Sequence, residues 1–209
     1  NKGYPMDYQK KERIFTLSVL LALILAVLAH YLLAPWGFYS PVSEAEGEKR
    51  LSLVHRAERR LGIREADGSH RVIVDLYNTL DPLPVGYTLG YEDSWCAAFV
   101  TVSAMEAGLT HIIPPECGCE RQIEAFSALD CWEERDDYVP QPGDVIYYDW
   151  DVTHQGNSTG WSDHVGIVVG IKWPFIKVIE GNREDAVSYR ILPVGHKTIR
   201  GYGLPDYGQ

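Results

Sequence analysis

Positive charge is scarce in this sequence. Its 209 residues hold 19 Lys and Arg against 29 Asp and Glu, for a formal net charge of -10. The shortage excludes a nucleic-acid partner, which needs a basic face, and leaves no attraction to anionic lipid or anionic wall polymers. Internal repeats and low-complexity segments are also missing. With 45% hydrophobic and 23% charged residues the composition is not that of a disordered chain, and there is ample material for one core plus an appendage. Cysteine is limited to four residues: Cys96, Cys117, Cys119 and Cys131. The last three with His111 match the spacing of no common closed zinc site. A helix between Cys119 and Cys131 would hold them about 18 Å apart, beyond disulfide reach.

What little basic charge there is sits unevenly. Lys2, Lys10, Lys11 and Arg13 against Asp7 and Glu12 make residues 1–13 net +2, so the rest carries -12. Directly after them runs IFTLSVLLALILAVLAHYLL, Ile14 to Leu33, uncharged and long enough to cross a bilayer core of roughly 30 Å as a helix. Basic residues precede it and none follows until Lys49. The expectation is a cytoplasmic N-terminus (1–13), a single-pass anchor in the lipid bilayer (14–33) and an extracytoplasmic remainder, with Tyr31, Trp36, Phe38 and Tyr39 as an outer aromatic girdle. A cleaved signal peptide and a secreted domain is the alternative, since Val27 and Ala29 fit a small-residue cleavage pattern; the run exceeds the usual apolar stretch of roughly 7–15 residues.

Residues 34–48, with two prolines and two glycines, read as a linker, and residues 49–209 as the folded domain. Ser43 with Glu46 is a capping-box pattern, so a helix should follow, with Leu51, Val54, Ala57 and Leu61 as its apolar face and Gly62 as its end. Val72, Ile73, Leu76, Tyr77 and Leu80 predict a second helix, and Asp81 to Glu92 a loop. DSWCAAFVTVSA, from Asp93 to Ala104, predicts a buried helix capped by Asp93 or Ser94, and Ile123, Phe126 and Leu129 another from about Glu120 to Leu129. After the PQPGD turn the period changes to two in DVIYYDW, HVGIVVGI, FIKVIEG, AVSYRIL and TIRGYG. Helices followed by strands make an α+β fold with N-terminal helices packed on an antiparallel sheet, preceded by one transmembrane helix.

Cys96 falls in the first turn of its helix, where free N–H groups and the helix dipole favour a thiolate. His164 opens a strand on whose face Gly166, Val168 and Gly170 follow, while Val165, Ile167, Val169 and Ile171 form the other face; the bare glycine face is expected to receive the Cys96 helix. In the next strand an apolar face ends in Glu180 and Asn182. A carboxylate there needs a partner, and Glu180 can meet His164 at one edge of the sheet. A thiol, an imidazole and a carboxylate or amide compose a thiol-hydrolase arrangement.

SWCAAFV, PQPGDVIYYDW, SDHVGIVVG and VIEGN, in this order, resemble the CHAP family of cysteine, histidine-dependent amidohydrolases and peptidases, papain-like relatives of the NlpC-type wall peptidases. The resemblance covers roughly Tyr77 to Tyr207. It implies a papain-like thiol hydrolase fold, Cys96 as nucleophile, His164 as general base and acid, Glu180 as the orienting residue and Asn182 as an alternative or additional polar group. The implied substrate is bacterial peptidoglycan, cut at an amide bond of the stem peptide or cross-bridge, by amidase or endopeptidase action. Some family members bind calcium; here only Glu92 and Asp93 flank the cysteine and DWDVTHQG lacks the spacing of a calcium loop, so no metal or cofactor is expected. Cys96 N–H is the first candidate oxyanion donor and the Tyr91 hydroxyl the second. Two other readings stand beside this one. Asp149, Asp151, His154, Asp163 and His164 could hold zinc for a metal-dependent wall amidase, or the domain could be a catalytically inactive membrane-tethered scaffold of a secretion or lysis apparatus.

Overall fold

The computed structural model describes residues 6–151 and 160–209. The chain divides into two compact units, Asn1–Pro35 and Trp36–Gln209. The first consists of helix α1, Met6–Leu33. Within it Lys10–Leu33 is long and apolar enough to cross a membrane, a property shared by signal sequences near an N-terminus.

The second unit is α+β. Four helices, α2 (Glu44–Glu58), α3 (Arg71–Tyr77), α4 (Cys96–Ala107) and α5 (Cys119–Ala128), precede a six-stranded sheet. Its strands are β1 (Trp132–Glu133), β2 (Val145–Tyr148), β3 (His164–Lys172), β4 (Phe175–Arg183), β5 (Ala186–Pro193) and β6 (Ile199–Gly203), in the order β1-β6-β2-β3-β4-β5 with every pairing antiparallel. β1 is too short to carry a period and was not foreseen; Trp132 pairs with Gly203. The helices pack on one face of the sheet, where Leu53, Tyr77, Phe99 and Phe126 meet Val145, Tyr147, Val165, Ile167 and Ile179. Ile146, Tyr148, Val168, Ile176, Val178 and Tyr202 form a second cluster. Near-continuous burial of α4 from Cys96 to Ala104 makes it the central helix of the core.

The expected caps and faces needed three adjustments. Ser43 does cap α2, accepting from Glu46 N–H at 3.2 Å, but the buried face is Gly47, Arg50, Leu53, Val54 and Ala57, while Leu51 and Leu61 are exposed. Arg50 is drawn inward by the buried Asp144 carboxylate at 2.8 Å, which also accepts from Tyr138 Oη at 2.7 Å, so the PQPGD aspartate anchors α2 to the start of β2. The segment read as linker also belongs in part to the folded unit: Gly37 pairs with Ile171 and Tyr39 N–H donates to Gln141. Lastly, β3 carries a register shift between Val168 and Gly170 that breaks the period of two. Ile171 therefore joins Val168 in the second cluster instead of following Val169.

The glycines also receive other neighbours than expected. A Cβ at Gly170 would lie 2.9 Å from Gly37 N, and one at Gly166 would lie 2.7 Å from Glu180 Cγ and Val178 Cγ1. Helix α4 lands on Gly181 of β4, where a Cβ would come within 2.4 Å of Phe99 Cβ and 3.0 Å of Trp95 Cζ3. The bare positions of β3 thus make room for Glu180 and for the chain around Gly37, and the bare position of β4 makes room for the helix.

Candidate active site

Trp95 is the residue before α4, and no side chain caps the helix. Asp93, one of the two residues expected as the cap with Ser94, accepts from Gly90 N–H at 2.7 Å and closes its own turn. Two other contacts fix the helix start. Trp95 Nε1 donates to Glu65 Oε1 at 2.9 Å, and the Asn182 amide, oriented with its oxygen toward Trp95 N–H and its nitrogen toward Glu65 Oε1, meets each at 3.3 Å. Asn182 has φ 56°, a left-handed conformation that asparagine tolerates better than most residues. Its amide thus stands beside the helix entrance, whereas it had been read as an alternative or additional polar group to Glu180.

Cys96 is the first residue of α4 and is 4% exposed. Its Sγ lies 3.6 Å from the Sγ of Cys119, the first residue of α5. The Cys119 thiol, the His164 imidazole and the Ala97 N–H together hold the Cys96 thiol well below its ordinary range against the opposing effect of burial, whereas Cys119 is pushed well above its own by the hydrogen bond to Cys96 and by burial. The two shifts run in opposite directions, so of the pair Cys96 is the thiol favoured to ionise.

His164 Nε2 lies 3.2 Å from Glu180 Oε2, at the sheet edge where the two strand ends were expected to meet. Glu180 stands opposite Gly166 in the β3–β4 ladder, so the missing side chain at Gly166 leaves its carboxylate free to lean toward His164. With Nε2 engaged, Nδ1 is the ring nitrogen left for Cys96. Burial lowers the imidazole's proton affinity, but hydrogen bonds to Cys96 and Glu180 outweigh it and raise the pKa to about 9. Burial likewise opposes ionisation of Glu180, and its bonds to His164 and Arg190 overcome it, so the carboxylate stays charged.

Several neighbours escaped the sequence reading. Arg190 Nε donates to Glu180 Oε1 at 2.7 Å, and Arg183 Nε lies 3.7 Å from Glu180 Oε2. Arg190 stands opposite Val178, two residues from Glu180 along β4, a diagonal neighbour that hairpin register places within reach of a long side chain. A buried carboxylate in an apolar strand signals that such a cation is needed. Tyr148 stands opposite His164 with ring centroids 5.9 Å apart, and Trp150 stacks on Tyr148 at 5.0 Å and 11°. The Arg190 guanidinium lies 5.3 Å and 5.0 Å from these two ring centroids. Cys119 carried no signal, because nothing in local spacing says that two helix starts converge.

Two carboxylates of the zinc reading accept backbone N–H groups here. Asp149 Oδ1 accepts from Asp151 N–H at 2.8 Å and Asp163 Oδ2 from Trp150 N–H at 2.7 Å, while His154 lies outside the described residues. The Tyr91 hydroxyl donates to Asp75 at 2.8 Å and is spent there, which removes it as an oxyanion donor.

Residues 86–182 match the family model of the CHAP domain, a span that contains Cys96, His164, Glu180 and Asn182. No curated protein matches the chain significantly. Among solved structures, the crystal structure of Ly7917 shares 14% identity at a TM-score of 0.41. That of Ly7917 with the hydrolyzing product of MDP shares 11% at 0.42. Each likeness covers 75% of this chain and 62% of the other, so the chain spans less than two thirds of those proteins' length. The thiol-bearing helix start, the histidine strand and the carboxylate strand all fall within the one segment, residues 86–182, that matches the CHAP-domain model.

Proposed function

We propose that the protein is a cysteine hydrolase that cleaves an amide bond in the stem peptide or cross-bridge of bacterial peptidoglycan, acting outside the cytoplasm from a membrane anchor in α1. The observation that carries the reading is the Cys96 thiol at the start of α4 beside the His164–Glu180 pair, inside the CHAP segment. The substrate class comes from the CHAP-domain match, and the anchor from the length and apolarity of Ile14 to Leu33, directly preceded by Lys10, Lys11 and Arg13.

In this mechanism the Cys96 thiolate attacks the carbonyl carbon, and the Cys96 N–H at the helix start stabilises the developing oxyanion. His164, an imidazolium at rest, gives its proton to the leaving amine. The neutral ring then takes a proton from water, whose hydroxide attacks the thioester and frees Cys96. Glu180 stays ionised throughout, holding the ring in one orientation and stabilising its charged form. Asn182 acts on the nucleophile instead, through Trp95 N–H, one residue before Cys96.

Digestion of purified peptidoglycan by the full chain in detergent tests the proposal. Mass spectrometry should find fragments carrying one new carboxylate and one new amine per cut, and none with Cys96→Ala. Intact peptidoglycan after incubation with folded wild-type protein would favour the scaffold reading.

A further inference from the structure

Two of the four cysteines begin helices, and the two helix starts converge. Cys96 opens α4 and Cys119 opens α5, and their sulfurs stand 3.6 Å apart, both reduced. In the hydrolytic cycle proposed above Cys119 touches no substrate; it is the thiol in contact with the nucleophile. Cys117 lies two residues away and is only half-buried, and Cys131 is likewise half-buried, beyond the end of α5. From this geometry we propose that Cys96 and Cys119 are a dithiol modification site, closed to a disulfide by peroxide and reopened by thiol reductants, which switches the hydrolase off while protecting its nucleophile.

A disulfide needs the sulfurs at about 2.05 Å, so they must close by roughly 1.5 Å. The residue before α5, Gly118, is extended at φ -110° with no side-chain cap holding it, so the approach opposes no capping bond on that side. Access is the same for oxidant as for substrate: the two residues are 4% and 9% exposed, and a peroxide is smaller than any peptide carbonyl that must reach Cys96.

The chemistry balances in two steps. The Cys96 thiolate attacks one oxygen of hydrogen peroxide, breaking the O–O bond; Cys96 becomes a sulfenic acid and the departing hydroxide takes up a proton to leave as water. Cys119 sulfur then attacks the Cys96 sulfur, the S–OH bond breaks, and the thiol proton leaves with the hydroxyl as a second water. Two thiols have been oxidised by two electrons and one peroxide reduced. The disulfide leaves no thiolate for acyl transfer, so turnover stops. It also removes the sulfenic acid before further peroxide can drive it to the irreversible sulfinic state.

The loss of turnover rests on the reading of Cys96 as nucleophile; the bond itself does not. The test is peptide mapping of the full chain after exposure to hydrogen peroxide, alongside peptidoglycan digestion before oxidation, after it, and after dithiothreitol. The expected map shows the Cys96 and Cys119 peptides joined, also in Cys117→Ser and Cys131→Ser, with activity lost by more than tenfold and regained on reduction. In Cys119→Ser, prolonged peroxide should instead leave Cys96 as sulfinic or sulfonic acid that dithiothreitol does not recover. A wild-type map with Cys96 overoxidised, or joined to Cys117 or Cys131, overturns the proposal. A joined Cys96–Cys119 peptide in a protein that never digests peptidoglycan contradicts the hydrolase reading while upholding the bond, so the two failures are distinguishable.

Discussion

Arg190 Nε is bonded to Glu180 Oε1 at 2.7 Å, on the carboxylate oxygen that His164 does not use. Glu180 is fully buried, with Arg190 on Oε1 and His164 on Oε2, where Arg183 also lies 3.7 Å away. Arg190 is therefore a positioning residue in the proposed hydrolase: it keeps the carboxylate ionised and aimed whether or not His164 carries a proton.

Arg190→Ala removes one partner of this buried carboxylate. We expect kcat/KM to fall about tenfold and stability by roughly 2 kcal/mol, with Arg190→Lys recovering part of both because the charge persists without the fork geometry. Digestion kinetics and urea denaturation read the two effects. If stability falls while kcat/KM is unchanged, Arg190 serves the fold alone.

The pH profile follows from the shifts of the thiol and the ring. Cys96 must be ionised and His164 protonated, so kcat/KM should rise at acid pH through the depressed Cys96 value and fall at alkaline pH near 9. Glu180→Gln removes one of the groups that raise His164, so its alkaline limb should move downward in pH, with kcat lowered by roughly tenfold or more. The same sign governs stability. A folded-state pKa above the ordinary 6.5 stabilises fully below pH 6.5, and that contribution is lost as pH rises through about 9. An alkaline limb that stays in place in Glu180→Gln would separate the carboxylate from His164 ionisation.

Asn182 combines a backbone role with an amide role, and two substitutions separate them. Asn182→Gly keeps the left-handed backbone at φ 56° and loses the contacts to Trp95 N–H and Glu65; Asn182→Ala loses both the contacts and the backbone ease, at about 1 kcal/mol more. Both should reduce turnover less than Glu180→Ala does. If either matches His164→Ala while Glu180→Ala is nearly silent, the orienting role belongs to Asn182.

Gly166→Ala tests how Glu180 obtains its room. The added methyl would sit 2.7 Å from Glu180 Cγ and Val178 Cγ1 in a packed sheet. We expect about 2 kcal/mol of destabilisation and a displaced carboxylate, seen as a downward shift of the His164 titration followed by NMR. An unchanged titration would mean that the carboxylate does not depend on this gap.

The sequence made the helices-then-strands order legible because α4 is an apolar, alanine-rich run closed by Gly108 and the strands are short β-rich runs separated by turn residues, and it brought His164 and Glu180 together because both stand near strand ends. The Val168/Gly170 shift was invisible, since one inserted residue changes the facing of Ile171 without changing composition. The glycines of β3 were rightly seen as close approaches, but what approaches is set by tertiary packing: Glu180 at Gly166 and the Gly37 segment at Gly170. Arg190, Cys119 and the Asn182 contact with Trp95 depend on register between distant segments, and local pattern holds no record of it. The cap is a similar case, because Asp93 accepts from Gly90 N–H in its own turn and not from the helix.

The central claim, that Cys96 acts as a thiolate nucleophile on peptidoglycan, is tested most directly by digestion after treatment of the full chain with either iodoacetamide or a metal chelator. The account predicts that alkylation, mapped to Cys96, abolishes release of peptide fragments while the chelator leaves the rate unchanged. Full activity after complete alkylation of Cys96, with loss under the chelator, would contradict it.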